Sequence, residues 1–466
     1  MNILNQLSIR NVDSHNMIRM WLRPALLALF IACLAACGSE ETPTPAATAV
    51  ATNTAQVVIP SPTFDPGEVI LPTVVLPTRV VQPAGTEFER ELQAIDARMT
   101  AIRMLFSLRP VKKEFISRDD LAHRVVEKLE DERDEIGRKN VVYEVLGIIG
   151  PDVDLYEIYV ALYQEGILGF FEADEDKLYV VQDHPTLRAQ DKITYAHELV
   201  HALQQQHFDI AAEFDRRSEG NTDRHLAYAA LVEGDATLAE SVYMFNYISE
   251  DEQRAIQEDA GVNLQAFLSA PHLIQRTFLF PYLEGTQFVF QLFQQDSWNA
   301  VNQAFRSPPE STEQILHVEK YLAREMPLNL FVPDFAAALG SGWSEVDRDT
   351  FGEFFLRAYL EDGLSRQVSA QAATGWAGDR YSMLTGPGGN TVLAMRTAWD
   401  TNNDAVEFGQ AFRDYMAAKH GGEWEGVPGK PGSAMLQTDG KVFATRQSIF
   451  EVQVVLAPDT VTLDTI

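Results

Sequence analysis

His197-Glu198-Leu199-Val200-His201 places two imidazoles and a carboxylate within five residues. On a helix, residues four apart share a face one turn apart, with roughly 6 Å between their Cβ atoms. That spacing suits two nitrogen ligands of one Zn²⁺. Glu198 is rotated about 100° from His197 around the axis, where its carboxylate could reach a metal-bound water. Two ligands and a base are most of a hydrolytic site.

The flanks predict the helix that such a site needs. From Ile193 to Phe208 there is no proline and, apart from Glu198 and the histidines, no charge. Asp191 is the expected N-cap. Ile193, Ala196, Leu199, Val200 and Leu203 form a broad apolar surface, so the helix is expected to be central and mostly buried. Two histidines and a glutamate on it would be costly to bury without partners. They are therefore either hydrogen-bonded core residues or parts of a metal site.

A catalytic zinc takes a third protein ligand. Glu233 is the favoured candidate, since its helical neighbours at three and four residues are Ala229, Ala230, Ala236 and Thr237. A carboxylate ringed by small side chains lets its helix approach another closely. His207, six residues after His201, is the rival. It would join the site only if the chain turned sharply after the motif, and Gln204 stands where a glycine would make that turn.

HExxH followed by a glutamate on a downstream helix resembles the gluzincins, zinc metallopeptidases with a glutamate ligand. The resemblance is tight over Ile193–Thr237. It implies a zincin-like core, with His197, His201 and Glu233 as ligands and Glu198 as general base. More loosely, Gly166–Tyr321 resembles a group of uncharacterised prokaryotic putative metallopeptidases. There a hairpin, a Pro-Tyr-Leu-Glu-Gly segment (Pro281–Gly285) and a Ser-Thr-Glu-Gln-x-Leu-His segment (Ser311–His317) recur. The thermolysin-like pattern also puts an aspartate four residues after the ligand glutamate, to hydrogen-bond a zinc histidine. This chain has Thr237 there and Asp235 two residues after, so that partner is expected elsewhere. His317 and Tyr282, in polar islands downstream, are candidates to stabilise an oxyanion. Tyr228 and Tyr243 are further candidates.

Other segments read as the frame of this site. Gly166–Phe171 and Lys177–Val181 flank an acidic turn, Asp174-Glu175-Asp176, and predict a β-hairpin. In zinc peptidases such a strand pairs with an extended substrate. Helices are expected over Phe88–Leu108, from Ser117 to about Gly137, and over Asn140–Ile149, Asp154–Gln164, Arg224–Tyr247, Asn263–Phe293 and Glu313–Arg324, with a polar stretch over Asp215–Asp223. From about Pro327 the character changes. A helix over Asp349–Leu360, a turn-rich block at Gly375–Tyr381, a strand at Thr391–Ala398, a helix at Ala405–Ala418 and a strand or hairpin at Lys441–Leu456 predict an α/β lobe. The fold class is therefore α+β, mostly helical, with a peptidase-like domain over 86–326 and a C-terminal lobe over 327–466.

The N-terminal part reads as an address. Arg19 and Arg23 precede an apolar run from Ala25 to Ala36, a pattern that predicts a secretory signal over 1–36. Leu34-Ala35-Ala36-Cys37 resembles the lipobox of bacterial lipoproteins, which implies lipid attachment at Cys37 and anchorage on the outer face of the cell membrane. Residues 37–85 hold eight prolines among Thr, Ala and Val and predict an extended tether. Both cysteines, Cys33 and Cys37, lie here, so a metal in the folded part must be held by His and carboxylate. With 37 basic against 67 acidic residues and a net charge of −30, the chain will not bind nucleic-acid phosphate by bulk electrostatics. The expectation is a lipid-anchored, Zn²⁺-dependent peptidase acting on peptides or proteins. A zinc hydrolase of other substrates and a noncatalytic binding lipoprotein are the alternatives, and retention of Glu198 argues against the last.

Overall fold

A computed structural model describes residues 86–166, 169–260, 265–438 and 440–466. The signal, Cys37 and the tether lie outside them. The fold is α+β. Helix α1 (Glu87–Arg103) leads to strand β1 (Lys112–Ile116), then α2 (Arg118–Asp131), α3 (Arg133–Val145) and α4 (Leu155–Gly166). The hairpin follows as β2 (Gly169–Glu172) and β3 (Lys177–Val181). The motif helix α5 (Ala189–Phe208), a short α6 (Ile210–Ser218) and α7 (Thr222–Tyr247) come next. After α8 (Glu250–Ala260) and α9 (Gln265–Ser269), the long α10 (His272–Arg306) runs through a kink at Asp296 and Ser297. Helices α11 (Thr312–Leu316), α12 (Val318–Ala323) and α13 (Phe335–Leu339) end this half.

The hairpin does not stand alone. Strand β1 pairs in parallel with β3, giving the order β1-β3-β2 and leaving β2 at the edge. Strand β1 escaped sequence reading because Lys112-Lys113-Glu114 masks its short apolar end. Strand β2 is nevertheless buried at every position, because α5 packs against it.

Helix α5 is central, as its apolar surface predicts: Ile193, Ala196, Val200 and Leu203 are at most 1 % exposed. Its N-cap is Arg188 and not Asp191. Asp191 sits three residues in and accepts the Arg188 backbone N–H at 3.0 Å, so it closes the same turn from inside. The helix ends at Asp209, which adopts the left-handed conformation (φ 50°), and α6 occupies part of the expected polar stretch. Helices α7 and α10 touch through glycine. A Cβ on Gly285 would lie 2.2 Å from the Ala230 carbonyl oxygen, and one on Gly234 would lie 2.3 Å from the Gly285 backbone. Those contacts are backbone and cannot swing aside, so Gly285→Ala should destabilise the chain by about 1–3 kcal/mol. Urea unfolding checks this.

Sequence reading errs at several boundaries. The charged helix from Ser117 stops at Asp131, and α3 begins at Arg133, seven residues before the expected start at Asn140. The helix expected over Glu313–Arg324 breaks at His317 into α11 and α12. The Gly375–Tyr381 block is not a turn. Trp376 opens a ten-residue strand, and a register shift between Trp376 and Gly378 accounts for its turn-like residues.

The C-terminal half is a seven-stranded antiparallel sheet, β4 (Ser344–Asp349), β5 (Trp376–Thr385), β6 (Thr391–Trp399), β7 (Glu425–Gly426), β8 (Ser433–Thr438), β9 (Lys441–Gln447) and β10 (Glu451–Ala457). Their order is β4-β5-β6-β10-β9-β8-β7. Helix α14 (Gly352–Leu360) runs from this sheet onto α7, α10 and α11, so one apolar core joins both halves. Helices α15 (Arg366–Ala373) and α16 (Asn402–His420) pack beside it, and α17 (Thr460–Thr465) closes the chain. Asp379 fixes the start of α14 by accepting the Phe351 and Gly352 N–H groups at 2.8 and 2.7 Å and the Trp376 indole N–H at 2.9 Å.

Candidate metal centre

Helices α5 and α7 cross with His197, His201 and Glu233 facing one another. His197 Nε2 lies 3.1 Å and His201 Nε2 3.5 Å from the same Glu233 oxygen. One ligand atom from each of the three residues falls within a mutual 4.8 Å. Ligand atoms around a tetrahedral zinc, at about 2.0–2.2 Å from it, are roughly 3.4 Å apart, and the two spacings here bracket that value. His201 Nε2 and Glu233 Oε1 are buried with no hydrogen-bond partner, a cost the fold bears if they serve a cation. This donor set fits Zn²⁺.

The outer hydrogen bonds orient both rings. His197 Nδ1 lies 2.9 Å from Glu240 Oε2, an acceptor, so Nδ1 carries a proton, and a cation at the cluster would take the Nε2 lone pair. His201 Nδ1 lies 2.8 Å from Gln204 Oε1. Gln204 is fixed in turn, because its Nε2 donates to the Val232 carbonyl at 3.0 Å and to Asp235 Oδ2 at 2.8 Å. Asp235 Oδ1 accepts from Arg103 Nε at 2.5 Å, and both side chains are wholly buried. Arg103 also donates to Asn302 at 2.8 Å. A chain of side chains from α1 and α10 thus supports His201.

Sequence reading missed Glu240 and Gln204. Glu240 is seven residues after Glu233, two turns along the same face of α7, which is the signal that would have found it. It takes the part that the thermolysin-like pattern gives to the residue at Thr237. Gln204, read above only as an obstacle to a turn, positions His201. Asp235 enters through Gln204 and touches neither imidazole.

Glu198 lies at the same place. It is 1 % exposed, and its Oε2 accepts the backbone N–H of Phe171, on edge strand β2, at 2.6 Å. Its Oε1 has no partner. Burial pushes its pKa up to about 7 against the pull of His201, His197 and the Phe171 N–H. Glu233 goes the other way. Burial raises it, but the two imidazoles, which neighbouring carboxylates hold protonated, and the His197 hydrogen bond carry it down to about 2. The structure thus holds two carboxylates in opposite states, one a fixed anion and one able to exchange a proton near neutrality.

The remaining candidates divide. Tyr282 belongs here, its ring centroid 6.4 Å from that of His197, and burial together with Glu233 and Glu198 holds its hydroxyl pKa well above the ordinary value. His317 does not. Its Nε2 bonds to Glu353 Oε1 at 2.8 Å. Thr312, one helix before it, docks on Asp223, ten residues and about 15 Å along α7 from Glu233. Glu353 lies on α14, so the ring points there. Tyr243 lies against Tyr247 at 5.5 Å and meets Arg98, away from the cluster. Tyr228 packs edge-on against Phe214, a wall residue of the cleft, at 4.6 Å, and its hydroxyl is unpartnered. His207 turns to the Phe106 carbonyl at 2.7 Å and is no ligand, since α5 continues straight through Gln204.

Beside the cluster is a cleft between β2 and α6, lined by Phe171, His201, Ile210, Phe214 and Glu233. It encloses about 40 Å³, room for about three waters.

Residues 339–466 match a family described as a domain of unknown function (DUF8575). That match covers most of the C-terminal half and none of the cluster. No curated protein and no solved structure matches the chain.

Proposed function

We propose that this chain is a Zn²⁺-dependent peptidase, held at the outer face of a cell membrane through Cys37. The single observation that carries the reading is the convergence of two imidazole Nε2 atoms, each ring anchored through its Nδ1, and the Glu233 carboxylate beside a free Glu198 oxygen. Held by His197, His201 and Glu233, Zn²⁺ would supply Lewis acidity and a water acidified to a pKa of about 7. Glu198 takes a proton at Oε1 and returns it to the leaving amine, while Phe171 N–H keeps Oε2 in place. Tyr282, its ring centroid 6.4 Å from that of His197, is the candidate to meet a developing oxyanion.

Substrate lies along β2. Phe171 N–H points away from β3, so by strand alternation the Phe171 carbonyl and the Ala173 N–H share that edge, while the Ala173 carbonyl accepts the Asp176 N–H at 3.2 Å in the turn. An extended peptide adds there as a further strand. The cleft is narrower than a peptide, so entry requires α6 to draw back from β2. Lipid attachment rests on the Leu34–Cys37 motif, and among the described residues no helix is long and apolar enough to cross a membrane.

The test is digestion of casein and of a mixed peptide library. Cleavage is expected, with loss on chelation and recovery on adding zinc. Zinc binding without cleavage of any peptide would remove the peptidase reading and leave a hydrolase of other substrates or a binding protein. Glu240→Gln should weaken zinc binding about 10- to 100-fold, because it removes the anion that orients His197. Competition with a chromogenic chelator measures it.

A further inference from the structure

A second recess lies away from the metal cluster, where α3, α4 and α7 meet α14 and the β4–β5 edge. We infer that it binds a small primary alkylammonium ion, with Glu135 as counter-ion and His225 as acceptor of an ammonium N–H. This site is independent of the peptidase reading and shares no residue with it.

The aromatic wall comes from three elements. Phe351 stacks on Tyr381 at 4.1 Å and on Phe355 at 4.3 Å, and Tyr143 lies 6.1 Å from Phe355. These rings spend faces on one another, and Lys139 lies 5.6 Å over Tyr381, so the wall encloses an alkyl chain. His225, 2 % exposed, lines the recess, and neither of its ring nitrogens has a hydrogen-bond partner. Burial lowers its pKa to about 4, so the ring is neutral and keeps an acceptor nitrogen. Glu135 Oε2 is likewise buried without a partner. An orphaned carboxylate oxygen and the acceptor nitrogen of an orphaned neutral imidazole both call for an N–H donor.

Other ligand classes fit poorly. Lys139 is the cation of the recess, but its three N–H bonds go to Asp347, Asp349 and the Tyr381 hydroxyl, so none remains for an anion. A quaternary ammonium has no N–H for His225. The space is about 50 Å³, room for about three or four waters, which admits an amine of about four to six heavy atoms.

Glu135 also sets the pH dependence. It is faced by Lys139 and Arg138 from its own helix, by Glu132 at that helix's start, and by Asp349 and Asp347 from β4. Burial raises its pKa to about 7, against the pull of Lys139 and Arg138. Tyr143, Tyr159 and Tyr381 are shifted upward and His225 downward, so they hold their charge between pH 5 and 8. Above pH 7 Glu135 is an anion and attracts ammonium. Below it the carboxyl is neutral, and affinity falls as pH drops.

Calorimetric titration of the zinc-loaded chain with butylammonium, 1-butanol and butyrate tests this. Butylammonium is expected to bind at pH 8 at least tenfold more tightly than the other two, and at least tenfold more weakly at pH 5. Glu135→Gln should erase the preference over butanol and the pH dependence, while Glu319→Gln, at an exposed acid, should change neither. Absence of binding, equal binding of the three probes, or an unchanged preference in a folded Glu135→Gln protein would overturn the inference. If Glu135→Gln fails to fold, the wild-type probe series and its pH profile decide alone.

Discussion

Glu198→Gln is expected to lower kcat/KM for peptide hydrolysis by about 10³-fold, within the 10²- to 10⁴-fold range of a lost general base. The amide keeps the size of the side chain and can still meet the Phe171 N–H through its oxygen. It cannot take a proton. Glu198 is not one of the three clustered donors, so zinc affinity should stay within a few-fold of wild type. Steady-state kinetics with a quenched peptide, paired with metal analysis of the same samples, separates the two effects. A variant that cleaves at the wild-type rate would exclude Glu198 as the base. A variant that loses both zinc and activity would make it a ligand.

Asp235→Ala should cost about 3–5 kcal/mol, the largest stability effect expected for a single substitution near the site. Arg103 and Asp235 are wholly buried and 2.5 Å apart, so removing the carboxylate strands a guanidinium in the core. Gln204 loses one of its two acceptors as well, which loosens the restraint on His201. Urea unfolding measures the first consequence and zinc affinity the second. Replacing both partners by apolar residues, as Arg103→Met with Asp235→Leu, should recover much of the stability but not the zinc affinity. Recovery of both would mean that the Arg103–Asp235 pair does not position His201.

How far the site was legible follows from what each residue type can do. The motif helix and Glu233 could be read because two histidines and two carboxylates on apolar or small-residue surfaces are expensive unless they meet. Glu240 was legible in principle, through its seven-residue spacing from Glu233, but a heptad on a helix is also an ordinary surface pattern. Gln204 and Arg103 were not. Gln204 reads as a helix former, and Arg103 as one basic residue within the helix expected over Phe88–Leu108. Only the crossing of α1, α5 and α7 puts them behind His201. His317 misled because Ser311–His317 is polar. That polarity serves the junction of α11 and α7 with α14, where Thr312 binds Asp223 and His317 binds Glu353.

The same division holds for the fold. Helices with clear ends, such as α4, α7 and α16, were read to within about two or three residues. Strands β1 and β4 were not, since Lys112–Glu114 and Ser344–Arg348 lack the alternation that marks a half-buried strand. Their pairing depends on partners far along the chain, Val181 for Ile116 and Tyr381 for Asp349. Local sequence carries no record of such partners.

The most direct test of the metal centre is zinc content by mass spectrometry after saturation and exhaustive dialysis, on the intact chain and on Glu233→Ala. One zinc per chain is predicted for the wild type, with loss of most of it in the variant. A wild-type protein that retains no zinc, or a folded Glu233→Ala protein that holds it as tightly, would contradict the account.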